Sequence, residues 1–205
     1  LYRFDRARVV VSLDADFLHS QPGFVRYARD LMAGRRPRDN DNVLTRLYVA
    51  ESTPTITGSV ADHRLRLRAD RIEALARQLA TALGIAGLAP TSLVVDDAWL
   101  MAVADDLQRQ APNVIVVAGD QQPAAVHAIA QAINHRLGAY GTSVTAIDPV
   151  DASHHAQPLV PLVEAMRAGE IGSLIVMGAN PAYSAPRELG FAEACQRVAW
   201  RCHFG

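Results

Sequence analysis

The chain has no lysine, although 20 of its 205 residues are basic. All 20 are arginine, which we attribute to the codon bias of a GC-rich genome. Without a lysine amine the chain can perform no Schiff-base chemistry, and it cannot form the phosphate-binding P-loop, which needs a lysine beside its glycines. Two large classes of enzyme are thereby excluded.

Cysteine is almost as scarce, with only Cys195 and Cys202. Two thiols are too few for an iron–sulfur cluster held by four cysteines, and their spacing fits no common zinc motif. We expect two ordinary thiols, with a disulfide as the alternative.

No apolar run approaches the roughly 20 residues that span a bilayer. The net charge of −1 gives no basic excess to attract nucleic acid. We therefore expect neither nucleic-acid binding nor direct membrane insertion.

Two catalytic signatures of α/β proteins are also missing. No G-x-G-x-x-G segment follows an apolar run, which argues against a nicotinamide-dependent dehydrogenase. No G-x-S-x-G segment is present, which argues against an α/β-hydrolase.

What the sequence does contain is an alternation of short apolar runs and amphipathic segments. Gly84 and Gly138 follow two of the amphipathic segments, in the position where glycine ends a helix. Such alternation predicts a Rossmann-like, doubly wound α/β fold with a mainly parallel sheet and helices on both faces. The predicted strands are 8–13, 44–50, 113–118, 143–147, 173–177 and 198–203. The predicted helices are 24–33, 70–83, 97–110, 123–137, 158–168 and one that starts near Pro186.

The sequence also echoes itself. RVVVSLDADFLHSQPGF (8–24) parallels SLIVMGANPAYSAPRELGF (173–191), and each is followed by another strand-like run. We therefore interpret 1–205 as one Rossmann-like region with a first strand and loop unit over 1–68. A second α/β unit covers 69–205 and is cut short at its end, as in a fragment of a larger multidomain protein. We expect such a fragment to expose an apolar face.

Ligands of open α/β sheets bind beyond the carboxyl ends of the strands, and three predicted turns lie there. They are 14–20, 119–122 and 178–181. Glycine permits a close backbone approach in the last two, so we select Gly119 and Asp120, together with Gly178, Asn180 and Pro181, as candidate cofactor-binding residues. The alternative is that both are the ordinary tight turns that a parallel sheet requires.

Asp14 and Asp16 follow the first strand two residues apart. We expect the two carboxylates to point the same way, where they would bind a cation or, as we favour, cap turns and helix ends.

Three other polar segments attract attention. The hydroxyl-rich loop Thr53–Arg64 either satisfies its own backbone or holds a polar ligand or partner. His154–His155 and Cys202–His203 offer metal-ligating side chains, but adjacent residues of an extended chain point apart, so we expect no metal site at either pair.

Several of these segments resemble the large subunit of molybdopterin oxidoreductases. The resemblance rests on TGSVAD (57–62), on the GANP turn (178–181) and on the stretch 119–141. Among these proteins, the chain most resembles the molybdopterin-like domain of the iron–sulfur subunit of alternative complex III, a quinol:electron-acceptor oxidoreductase. The segments that carry this resemblance are SLDADFL, VRYARD, RLYVAESTPTITGSVADHRL and VVAGDQQP. The resemblance covers nearly the whole chain, and the TPTITGSVADHR stretch is its most specific part.

The resemblance implies a non-catalytic, cofactor-free scaffold domain of a respiratory electron-transfer complex, associated with the periplasmic face of a bacterial inner membrane. Its partners would be the remaining domains of the same protein, which carry the iron–sulfur clusters, and other subunits. The chain departs from the enzymatic family because it has no recognisable metal-ligand segment, and because LDADFL places two acids where a pyrophosphate would bind. The alternatives are a part of an active oxidoreductase that uses molybdopterin guanine dinucleotide, and a free-standing α/β domain that binds a small ligand.

Overall fold

The computed structural model of the chain describes residues 1–36, 44–91, 97–148 and 159–205. The chain divides into two compact units, Leu1–Asp148 and Pro149–Gly205, which we call unit 1 and unit 2. The sequence-based division at residue 68 falls inside unit 1.

Both units consist of helices and short strands. The strands of unit 1 are β1 (Val9–Leu13), β2 (Arg46–Glu51), β3 (His63–Arg66) and β4 (Val114–Ala118). Its helices are α1 (Phe24–Gly34), α2 (Ile56–Ser59), α3 (Ile72–Ala82), α4 (Asp97–Gln110) and α5 (Ala124–Arg136). Unit 2 contains α6 (Leu159–Ala168), β5 (Ser173–Met177), α7 (Pro181–Ser184), α8 (Phe191–Cys195) and β6 (Trp200–Phe204).

The four strands of unit 1 form one parallel sheet in the order β3-β2-β1-β4, with helices around it. This confirms the predicted Rossmann-like α/β class. Every residue of β1 and β4 is buried, as expected for the near-continuous apolar runs of a covered parallel sheet. The one polar side chain in these two strands, Ser12, donates a hydrogen bond to Ala15 O (2.8 Å) and accepts one from Ala15 N (3.0 Å).

The helix ends at Gly84 and Gly138 are confirmed. Both glycines have positive φ, 78° and 68°, and each lies two residues after the last residue of its helix, α3 or α5. In each case the glycine amide and the next amide donate back to carbonyls of the last helical turn. A residue with a Cβ would adopt this left-handed geometry less readily, so the sequence fixes where these helices end.

One strand prediction and one loop prediction in unit 1 are wrong. The stretch 143–147 forms only isolated bridges at Val144, because side chains already use the outer edge of β4. Asn134 in α5 accepts from Val116 N and donates to Val116 O, both at 2.8 Å, and the Ser143 hydroxyl donates to Val114 O. The expected loop Thr53–Arg64 instead contains α2 and ends within the edge strand β3. The side chains of β3 are mostly exposed, so its sequence lacks the buried apolar run that predicts a strand.

Unit 2 contains a separate parallel pair, β5 and β6, so the expectation that the strand ending at Met177 belongs to one continuous sheet is wrong. A small core packs on this pair and is formed by Val163, Met166, Phe191, Ala194 and Val198. The opposite face carries exposed Ile175, Met177, Trp200 and Phe204, which are 52–73% exposed. These four side chains, which we call the apolar face, match the exposed apolar surface predicted from the sequence.

The two similar sequence segments, 8–24 and 173–191, also have similar backbone geometry. The residues directly after β1 and β5, Asp14 and Gly178, both have positive φ, 59° and 63°. Their amides donate to a carbonyl of the neighbouring strand, at 2.7 and 3.0 Å. Gly23 and Gly190, both left-handed, immediately precede α1 and α8. The two segments are therefore two versions of one strand–turn–helix–strand unit.

Candidate functional site

The sheet of unit 1 has its topological switch point between β1 and β4. β2 and β3 lie on one side of β1, and the chain returns to place β4 on the other side. In open α/β sheets the crevice outside the carboxyl ends of such a strand pair is the usual ligand site. The turn at Asp14 and the turn Gly119–Gln122 lie there, so this crevice is the candidate site.

Asp14 is the centre of the crevice. It is 7% exposed, and its positive φ is one that aspartate tolerates better than most residues. Its Oδ2 accepts hydrogen bonds from Gln122 Nε2 (2.8 Å) and Gln121 Nε2 (3.1 Å), and its Oδ1 accepts one from Ser52 N (3.2 Å). Gln121 also donates to the Asp14 carbonyl (2.6 Å). The carboxylate is thus engaged by the chain's own donors.

Gly119 is required by the close approach of the two turns. A Cβ at this position would overlap the carbonyl oxygen of Asp14, and the Gly119 amide donates to Leu13 O at 3.0 Å. The next residue, Asp120, accepts from Gln21 Nε2 (3.2 Å), which also donates to Ala118 O (3.1 Å). Gly119 and Asp120 therefore lie in a tight turn held by side-chain amides.

This crevice fits a pyrophosphate poorly. The described residues that are bonded across it include two carboxylates, Asp14 and Asp120, which would repel the negative charge of a phosphate. The amides of Gln121 and Gln122 already bind Asp14. Gln122 Oε1 is buried and accepts no hydrogen bond from the described residues. The arrangement stabilises a turn, and none of the described residues bonded in it is a cation.

Asp16 serves a different part of unit 1. Its Oδ1 accepts from the amide (2.9 Å) and the hydroxyl (2.7 Å) of Thr57, whose hydroxyl oxygen in turn accepts from Leu18 N (3.1 Å). Asp14 and Asp16 thus bind different groups, and the left-handed backbone of Asp14 directly after β1 interrupts the strand between them. The favoured role as a cap of turns and helix ends is confirmed, because Asp16 binds the first turn of α2.

The loop Thr53–Arg64 closes on itself around Glu51, to which sequence reasoning gave no role. Glu51 is 1% exposed, accepts from the Thr55 hydroxyl (2.7 Å) and is paired with Arg64. Thr55 also caps α2 by accepting from Gly58 N (3.0 Å). A Cβ on Gly58 would overlap the Glu51 carboxylate. The only sequence signal for this cluster is an acid that ends an apolar run, seven residues before a glycine.

Asp62 ends the same loop and fastens it to α1 and β2. Its carboxylate binds both terminal nitrogens of Arg35 (2.6 and 2.7 Å) and accepts from Leu47 N (2.7 Å). Burial alone would raise the pKa of Asp62, but the hydrogen bonds from Arg35 and Leu47 outweigh it and leave that pKa below its ordinary value. The loop thus satisfies its own polar groups, the first of the two interpretations made from sequence.

The turn after β5 in unit 2 is open where the turn after β1 is closed. Gly178, Asn180 and Pro181 lie here, and apart from its chain neighbours no described residue has an atom within 4 Å of a Cβ built on Gly178. The side chain of Asn180 is exposed and makes no cap to α7, while its carbonyl accepts from two amides of α7. The His203 ring bonds the Ala179 carbonyl at 2.9 Å.

Metal-ligating side chains do not converge in the residues that the structure describes. No group of three or more His, Cys, Asp or Glu in those ranges could hold a metal ion. Cys195 and Cys202 are both free thiols and partly buried. His154–His155 lie outside the described residues. None of the helices in the described ranges is both long enough and apolar enough to cross a membrane.

Comparison with known proteins adds no relative: no protein-family model matches the chain, and no curated protein matches it in sequence.

Proposed function

We propose that the chain is a non-catalytic scaffold region of a larger electron-transfer protein. It would be similar to the molybdopterin-like domain of the iron–sulfur subunit of a quinol-oxidising respiratory complex. The observation that carries the proposal is the engagement of the two switch-point turns with each other: Gly119 lies against the Asp14 carbonyl, and the amides of Gln121 and Gln122 bind Asp14.

The apolar face of unit 2 supports a role in assembly. A parallel strand pair is ordinarily covered on both sides, and the pair β5–β6 has its core on one side only. Four large apolar side chains on one small sheet form a contact surface typical of a protein interface. We propose that a helical layer of a neighbouring domain or subunit covers it, in a protein that carries the iron–sulfur clusters. In this proposal the complex lies at the periplasmic face of a bacterial inner membrane.

The proposal is tested by placing a photo-crosslinking residue at Met177, with Val25 on α1 as the control position. Both side chains are largely exposed, 73% and 70%. In the native host we expect Met177 to cross-link to a polypeptide whose purified complex shows the electron paramagnetic resonance of iron–sulfur clusters, and Val25 to give no such product. Cross-links only to proteins without redox centres, or equal yields at both positions, would contradict the proposal.

The open turn at Gly178 and Asn180 favours a second candidate, a part of an active oxidoreductase that holds the guanine end of a pterin dinucleotide. Here the backbone is accessible and the Asn180 amide is free to face solvent. Asn180→Ala would then lower the pterin content of the protein purified from its host, measured as fluorescent oxidised pterin. If the pterin content of the unsubstituted protein is already zero, this second candidate is lost and the scaffold proposal stands.

A further inference from the structure

An open groove of about 520 Å³ lies at the end of β2 and β3 in unit 1. Ser52 and the run from Arg66 to Asp70 line it. Glu51 pairs with Arg66 in the last register of the two parallel strands, so the groove opens at their carboxyl ends. This is the edge of the sheet where α/β proteins bind ligands. The groove is open, and among its lining side chains Arg68 and Asp70 bond to each other.

The charge of the groove is positive. Arg66 is exposed and forms no ion pair with any described residue. Arg68 is bound by the Asp70 carboxylate through Nε (3.0 Å) and Nη2 (3.1 Å), and Arg71 approaches the same carboxylate at 3.7 Å. Asp70 is the single acid among the lining residues and must serve two arginines, so the guanidinium of Arg66 is left without a countercharge.

The strand pattern sets this arrangement. In 64–68 the arginines alternate with Leu65 and Leu67, which are partly buried against the core. Arg66 and Arg68 are exposed, while Arg64 pairs with the buried Glu51. Outward charge protects the free edge of a sheet from pairing with another chain, and this explains why charges stand here. Edge protection alone requires no cavity beside the charges and no neighbouring hydroxyl. The groove and Ser52 add both.

We propose that this groove binds the phosphate group of a small ligand. Guanidinium groups bind phosphate oxygens in pairs of parallel hydrogen bonds, and a phosphate is large enough to engage Arg66 and Arg68 together. Arg66 supplies the uncompensated charge, Arg68 the second fork and Ser52 a hydroxyl. Asp70 competes with the ligand for Arg68. The site is independent of the proposed scaffold role and lies on different residues from the switch-point crevice.

Because Asp70 competes with the ligand, substitutions at Arg66 and Asp70 should change the affinity for the ligand in opposite directions. Binding of inorganic pyrophosphate is measured by calorimetry at low ionic strength, because salt screens such contacts. Arg66→Ala should weaken binding by about tenfold or more, since it removes a charge-assisted pair of hydrogen bonds. Asp70→Asn should strengthen it by about threefold, because it frees Arg68. Citrate, a carboxylate anion of similar charge, should bind more weakly than pyrophosphate.

Arg136→Ala is the matched control, because it removes the same unit charge from the last turn of α5, outside the groove. It should leave the affinity for pyrophosphate unchanged. Equal losses in the Arg66 and Arg136 variants would show attraction by overall charge alone and would overturn the proposal. So would weaker binding by Asp70→Asn, stronger binding of citrate, or no heat of binding with a folded protein. Circular dichroism of each variant confirms that it is folded.

Discussion

The two strand–turn–helix–strand segments of the chain share a backbone and differ in their surroundings. β1 is buried along its whole length, and the turn after it at Asp14 is covered by the amides of Gln121 and Gln122. β5 alternates between exposed and half-buried residues, and the turn after it at Gly178 is open. The first lies inside a four-stranded sheet and the second in a two-stranded one.

This difference shows that the local sequence determines the backbone conformation of the turn, while the rest of the sheet determines whether the turn is covered or exposed. At the equivalent position with positive φ, the first copy has aspartate and the second has glycine. A buried aspartate in this conformation is tolerated because neighbours satisfy its carboxylate. An exposed turn has no such neighbours, and glycine adopts the conformation without them.

The largest expected effect comes from adding a methyl group to the covered turn. Gly119→Ala would force the new Cβ against the backbone carbonyl of Asp14, which cannot move without breaking the pairing of β1 and β4. We expect unit 1 to lose about 3 kcal/mol or more of its free energy of unfolding. The chain has two tryptophans, Trp99 in unit 1 and Trp200 in unit 2. Denaturant unfolding followed by Trp99 fluorescence in a Trp200→Phe background measures the change.

Gly178→Ala is the matched substitution in the open turn. No atom lies in the way of the new Cβ, so the expected loss is the cost of the left-handed backbone alone, about 1 kcal/mol. Trp200 fluorescence in a Trp99→Phe background reports it. Equal losses at the two glycines would mean that the turn after β1 is no more closely packed than its counterpart.

The elements that the sequence predicted are those whose signal is local. The apolar run at 113–118 and the helix over 97–110 agree with β4 and α4, since burial on both faces and helical periodicity are properties of the segment itself. Of the candidate site residues, Gly119 could be selected because glycine marks a close approach of two chains. That it meets the Asp14 carbonyl depends on the order of the strands, which no local pattern contains.

The residues that sequence reasoning missed act at a distance along the chain. Asn134 belongs to the helical face of α5, yet its side chain replaces a strand at the edge of β4. For this reason the run 143–147 forms no strand, although its composition suits one. Arg66 could not be selected from the sequence either, because an arginine in an exposed segment indicates a binding site only when the groove beside it is known.

A second, intermediate effect is the pH dependence of the stability of unit 1. In unit 1 the Asp106 carboxylate accepts from the Tyr48 hydroxyl (2.6 Å) and from Arg109 (2.8 Å), and it pairs with Arg46. Burial alone would raise the pKa of Asp106, but these three donors outweigh it and hold that pKa below its ordinary value. A lowered pKa stabilises the fold above the unfolded-state value, about 4, and this stability is lost as the pH falls through the folded-state pKa.

Asp106→Asn should therefore lower the stability of unit 1 at pH 7 by about 2 kcal/mol, since it weakens hydrogen bonds to a charged acceptor. It should also flatten the decline in unit 1 stability below pH 4. Urea unfolding at several pH values, followed by Trp99 in the Trp200→Phe background, measures both. If the variant and the parent decline in parallel below pH 4, Asp106 does not contribute to the acid sensitivity.

The smallest expected effect comes from the apolar face of unit 2. Met177→Gln replaces a side chain that is 73% exposed, so the stability of unit 2 should change by less than about 0.5 kcal/mol. Met166→Gln makes the same replacement in the core of the same unit, where the side chain is fully buried, and should cost about 3 kcal/mol or more, because it buries an unpaired amide. Trp200 fluorescence follows both variants in the Trp99→Phe background.

Met177→Gln should also reduce the binding of a dye specific for exposed apolar surface. A stability loss at Met177 close to that at Met166 would show that this face is already covered within the chain, and a second layer from a partner would then have no surface to bind.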